Sequence, residues 1–253
     1  MVLKSAIRVV FAADGTGTRD YEFAARVQSD AAVRTFGDLT FSYQGDNESV
    51  QIGYVRVRKP DGTVIASSDV IDMPSEVSRV APLYSDLKEK QVPVKALSVG
   101  DTLEYLVHYR MTKPEVPGQF WFTYTFPKQG VILDETLEID VPASKSVKLL
   151  TPDVHPAITQ NGSQKVYLWK TAQLEPTKPT DLTKAQSQEP KPPSVQLTTF
   201  QNWQQIGAWY LSLQQPQRQV TPAIRAKAEE LTKGLNTEDE KLHAIYNYVS
   251  TQV

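Results

Sequence analysis

Ser98-Val99-Gly100-Asp101-Thr102-Leu103-Glu104-Tyr105-Leu106-Val107-His108-Tyr109-Arg110-Met111 reads as a turn followed by a long alternating strand. Gly100-Asp101 makes the turn, because glycine reaches positive φ without a Cβ clash and aspartate bonds back to its own backbone. From Leu103 the side chains divide by parity. Leu103, Tyr105, Val107, Tyr109 and Met111 share one face, and Thr102, Glu104, Leu106, His108 and Arg110 share the other. A period of two with one apolar face predicts a half-buried strand of an antiparallel sheet.

Other segments read as its partners. Ala6–Phe11 is a strand closed by Asp14-Gly15, and Tyr21, Phe23 and Val27 share a face of the next. Leu39–Tyr43 and Val50–Arg58 follow, and Pro60-Asp61-Gly62-Thr63 is a hairpin signal joining Tyr54–Lys59 to Val64–Ser67. Tyr84–Lys88 reads as one helical turn, and Lys90–Val94 as an edge strand that tolerates Pro93. Gln119–Phe126 is aromatic on both parities, which predicts cover on both faces. Leu133, Leu137, Ile139 and Val141 read as an inward side. Lys145–Leu150 and Lys165–Lys170 are the closing strands, with Asn161-Gly162 as the turn between them.

Between Glu175 and Pro193 the composition shifts to Pro, Thr, Lys, Gln and Ser, which has little capacity to form a core. After it the period becomes helical. Trp203, Ile206, Tyr210 and Leu213 stripe one helix after Asn202. Thr221-Pro222 opens a second that ends at Gly234, and Thr237-x-x-Glu240 is a capping box opening a third. The pattern predicts a mainly β chain: a large antiparallel β-sandwich over 1–175, a Pro-rich linker or extended segment over 176–198, and a short helical C-terminal segment over 199–253. The helices share little core. Trp203, Trp209, Tyr210 and Tyr246 are therefore candidate contact residues, since large aromatics need a surface to pack on.

Composition excludes several function classes. Of 253 residues, 40% are apolar, enough for a sizeable core, and the net charge of -2 gives no phosphate-binding footprint. No nucleic-acid partner is expected. The absence of cysteine removes disulfides, thiolate zinc sites and cysteine nucleophiles. His108, His155 and His243 show no paired-ligand spacing, so neither a metal nor another cofactor is expected. No apolar run approaches membrane-spanning length, and Met1-Val2-Leu3-Lys4-Ser5 lacks the core of a signal peptide. That start fits a cytoplasmic protein or one whose export signal has been removed.

Polar groups invite sharper readings. Glu104, His108 and Arg110 share a strand face, but the solvated side of a sheet explains them. Asp134/Glu135 and Glu138/Asp140 are paired acids without the separation that acid–base chemistry requires. Asp14-Gly15-Thr16-Gly17-Thr18 is flanked by strands, which makes it a hairpin rather than a phosphate loop. Asn161-Gly162-Ser163 fits the glycosylation pattern only in form. Phe120, Trp121, Phe122 and Tyr124 read either as a sugar-stacking platform or as sandwich core.

In sequence order, Val57–Thr63, Tyr84-Ser85-Asp86, Val99-Gly100-Asp101 with Leu103-Glu104-Tyr105, Phe120-Trp121, Tyr167-Leu168-Trp169 and Phe200–Trp203 through Trp209-Tyr210 resemble a known family. It is the bacterial domain of unknown function family 3857. That domain typically precedes a transglutaminase-like core in exported or envelope proteins, and Glu240–Val249 resembles the first helix of such a core. The resemblance implies a non-catalytic accessory domain. It would position or regulate a papain-like Cys-His-Asp core through protein–protein contacts. The implied compartment is periplasmic or secreted, and the parent would be a protease or acyltransferase. No catalytic position carries over, because the family's core residues lie beyond this helix. A glycan-binding module of an envelope protein is the alternative.

Overall fold

The computed structural model describes residues 1–128, 130–175 and 193–252. Its order begins β1 Val2–Phe11, β2 Gly17–Arg26, α1 Asp30–Phe36, β3 Asp38–Gln44, β4 Glu48–Arg58, β5 Val64–Ala66, β6 Ile71–Pro74, α2 Glu76–Val80, β7 Leu87–Pro93 and β8 Thr102–Met111. It continues β9 Trp121–Tyr124, β10 Ile132–Pro142, β11 Lys148–Leu150, β12 Ala157–Asn161, β13 Gln164–Gln173 and β14 Val195–Thr198. The helices α3 Trp203–Gln217, α4 Pro222–Leu231 and α5 Glu238–Gln252 follow. The chain is mainly β with a C-terminal helical segment, and it divides into two compact units, 1–201 and 202–253.

In the first unit an eight-stranded sheet runs β12-β13-β10-β1-β2-β8-β4-β5. Two three-stranded sheets, β3-β7-β6 and β11-β14-β9, accompany it. The parity of β8 explains the layering. Leu103, Tyr105 and Val107 point to one side with Phe23, Val55 and Val57, and meet Leu39, Phe41, Tyr43 and Val92 of the β3-β7-β6 sheet. On the same side of the large sheet, Val9, Leu137, Ile139 and Trp169 meet Phe120, Val195 and Leu197 around the β11-β14-β9 sheet. One face of the large sheet is thus covered twice, and its other face is polar. The fully buried Trp169 donates its indole N–H to the Val154 carbonyl at 3.0 Å, so the ring is buried with its polar edge satisfied.

Several elements differ from the sequence expectation. Among the described pairings, β1–β10 is parallel and the rest are antiparallel. Leu133 is exposed rather than inward, because a register shift between Ile132 and Glu135 reverses the parity and turns Glu135 inward. β7 is the central strand of its sheet, not an edge, and Pro93 is its last residue. The helical turn lies at Glu76–Val80, where Ser75 caps it, rather than at Tyr84–Lys88. β9 is a sheet edge with Trp121 and Thr123 exposed, so cover on both faces is absent there. The Asn161-Gly162 turn joins β12 to β13, while β11 belongs to a smaller sheet. Of the Pro-rich stretch 176–198, residues 176–192 lie outside the described residues. Its last four form β14, whose Val195 and Leu197 are buried.

The helical unit follows its caps. Asn202, Thr221 and Thr237 accept from the backbone of Gln205, Ile224 and Glu240, and Glu240 accepts in return from the Thr237 N–H. Gly234 takes φ 82° between α4 and α5.

Candidate functional surfaces

The polar face of the large sheet carries a set of ion pairs dictated by strand register. Glu104 on β8 receives Arg56 Nε at 2.6 Å and Arg58 Nε at 2.9 Å from β4. Its hydrogen bonds to Arg58 and then Arg56 hold its carboxyl below the usual range against the opposing effect of burial. His108 Nδ1 lies 2.7 Å from Asp20 on β2, and Lys4 lies 2.7 Å from Glu22. Arg110 stays exposed. The structure therefore ties Glu104 and His108 to separate neighbouring strands instead of gathering them with Arg110 into one polar site.

Glu138 and Asp140 converge through a residue that sequence reading did not connect to them. Parallel pairing sets Arg8 opposite Glu138 and Val10 opposite Asp140. Arg8 donates Nε to Glu138 Oε1 at 2.9 Å and Nη2 to Asp140 Oδ2 at 2.7 Å. Asp140 is 4% exposed. Its other oxygen, Oδ1, and the Oε1 of Gln164 are buried without a hydrogen-bond donor among the described residues. Leaving such an acceptor unmet costs roughly 1–3 kcal/mol, and more where the group is charged. Both side chains line a concavity of about 420 Å³ over β1, β10, β12 and β13. Gln164 also lines a neighbouring cavity of about 500 Å³ beside Asp14, Thr18 and Arg110. The one sequence signal was the shared parity of Glu138 and Asp140. Arg8 lies 132 residues from Asp140, and no local pattern links them.

Glu135 is a second buried acid, on the opposite face. It is 2% exposed, accepts from Tyr124 Oη at 2.7 Å and accepts from Thr171 Oγ1 at 3.1 Å. Burial pushes its carboxyl up, and these two hydrogen bonds only partly oppose that. Asp134 beside it is exposed, so the two acids do not form a pair. Phe120 is buried, while Phe122 and Tyr124 pack against the same core. Trp121 alone of these aromatics is exposed, and it sits 5.9 Å from the Phe200 ring. Asp14 caps its own hairpin through Thr16, and His155 meets Thr151. Among the described residues no group of three His, Asp or Glu is placed to hold a metal ion, and no helix is long and apolar enough to cross a membrane.

In the helical unit Trp203, Tyr210 and Tyr246 are exposed and Trp209 is half-buried. Lys227 lies over the Tyr248 ring at 4.9 Å, which links α4 to α5. His243 is exposed on α5.

A mainly β unit carrying a three-helix segment is the class this architecture defines. The model of DUF3857, a domain of unknown function with solved structure, matches residues 13–178, and the chain belongs to that family. A crystal structure of a putative protease from Parabacteroides distasonis is similar over 98% of this chain, with TM-score 0.74 and 18% identity. The chain spans about half of that protein, 49% of its length. An M1 zinc metallopeptidase from Deinococcus radiodurans aligns at TM-score 0.38 and 11% identity over 78% of this chain and 41% of its own. No curated protein matches the chain.

Proposed function

We propose that the chain is a non-catalytic accessory unit that positions or regulates a transglutaminase-like core of the papain-like Cys-His-Asp type. The contact is protein–protein, the setting is the bacterial cell envelope, and the parent is a protease or acyltransferase. One observation carries this reading. The three helices are well capped, yet Trp203, Tyr210, Leu213, Leu242, Tyr246 and Val249 are all exposed. Helices gain most of their stability from burying an apolar face, at about 25 cal/mol per Å² of apolar area. Six such side chains left in water mark a surface that a partner covers. The match to half of a longer protein agrees with this. The glycan alternative rested on the aromatic β9, among whose aromatics only Trp121 is exposed.

Hydrogen exchange on this chain, alone and within its full-length parent, tests the reading. Amides of α3–α5 should become at least tenfold slower in the parent, and Trp203→Ala with Tyr246→Ala should reverse that. Equal exchange in both contexts would sink it.

A further inference from the structure

We propose that the concavity over Arg8, Asp140 and Gln164 binds an organic cation presenting several N–H donors, a primary ammonium or a guanidinium. Its wall holds two buried acceptor oxygens, Asp140 Oδ1 and Gln164 Oε1, that no donor meets among the described residues. What the site lacks is therefore donors. The charge balance points the same way. One guanidinium, Arg8, is shared by two carboxylates, Glu138 and Asp140, which leaves one net negative charge over the cavity. An anion would meet two carboxylates beside the single guanidinium and be repelled by the net charge. A metal ion would find only two carboxylates, each already bonded to Arg8. A neutral polyol would bring donors but no charge. Val166 and Leu168 on the same wall suit the alkyl stem that carries an ammonium or guanidinium.

Asp140 Oδ1 lies under cover, so the bound state requires a side chain to move. Gln164 lines both this cavity and its neighbour. In the complex its side chain shifts enough to uncover Asp140 Oδ1 while its own Oε1 stays on the site, and both oxygens accept from the ligand. The competing arrangement needs no ligand: a Gln164 amide turned end for end would donate its own Nε2 to Asp140.

NMR titration of the full chain with agmatine, which carries both cationic groups, separates these arrangements. Saturable shifts of the Arg8 Nε–H and the Gln164 side-chain amide are expected at millimolar agmatine or below. Binding should weaken about tenfold in Asp140→Asn, and several-fold in Gln164→Leu, which leaves the Arg8–Asp140 pair intact should Asp140→Asn fail to fold. An acetylated Ala-Lys-Ala amide distinguishes the sources. Tighter binding than agmatine assigns a peptide-borne ammonium reaching over the β12 edge, and weaker binding assigns a free amine. Four results overturn the proposal. They are no saturable shift, binding unchanged in Gln164→Leu, myo-inositol binding as well as agmatine, or a Gln164 amide protected from exchange and indifferent to the amine.

Discussion

Lys59 Nζ lies 2.7 Å from Asp101 Oδ2, joining the Pro60-Asp61-Gly62 hairpin to the turn that leads into β8. Asp101 is buried, accepts a second bond from the Ser98 N–H at 2.8 Å, and accepts through its carbonyl from Val27 N at 2.9 Å. Lys59 also donates to the carbonyl of Ala96, the one non-glycine residue with positive φ among those described. The buried Asp101 thus joins two loops through its carboxylate and the end of β2 through its backbone carbonyl.

Asp101→Ala should consequently destabilise the β unit by about 2–3 kcal/mol, because it leaves the Ser98 N–H without its acceptor and the Lys59 ammonium with only the Ala96 carbonyl and no counter-ion. Urea unfolding followed by near-ultraviolet circular dichroism measures this. Lys59→Met leaves the buried Asp101 carboxylate with the Ser98 N–H alone and should destabilise by at least as much. Little or no loss in Lys59→Met would show that the ion pair does not decide the effect.

Glu104 and Glu135 should respond to pH in opposite senses. The arginine bonds depress the Glu104 carboxyl in the folded state, so its contribution is present above the ordinary value of 4.5 and is lost as pH falls through the folded value. Burial raises the Glu135 carboxyl, so its contribution is present below the ordinary value of 4.5 and is lost as pH rises through the folded value. Glu104→Gln should therefore lower stability at neutral pH, by less than about 1 kcal/mol once solvent screening is allowed for, with little effect in acid. Glu135→Gln should flatten the decline toward neutral pH. Urea midpoints across a pH series check both, and slopes of the same sign would contradict the assignment.

Two glycines with nearly the same backbone should differ in their tolerance of alanine. Gly62 has φ 90° with nothing within 4 Å of an added Cβ, so Gly62→Ala carries only the left-handed backbone cost, about 1 kcal/mol. Gly15 has φ 93°, and a Cβ there would lie 2.5 Å from the Gln119 carbonyl oxygen and 2.9 Å from Pro114 Cβ. Gly15→Ala must also displace the backbone and should cost about 3 kcal/mol. Paired denaturation curves test the difference, and equal midpoints would refute it.

The sequence by itself determined the local elements. Alternation set the inward face of β8, Pro60-Asp61-Gly62-Thr63 set the hairpin from β4 to β5, and Asn202, Thr221 and Thr237 set the helix starts, because each depends on residues within one strand or turn. Family membership was legible from motif order for the same reason. Only the tertiary structure decided the parallel β1–β10 pairing, the shift that turned Glu135 inward and Leu133 out, and the return of β14 to the core after the Pro-rich stretch. Those outcomes depend on which distant strand offers the best combined burial and hydrogen bonding, and a period of two gives no information about the neighbour. The meeting of Arg8 with Asp140, and with it the charge and the unmet acceptors of the cavity, follows from that long-range pairing.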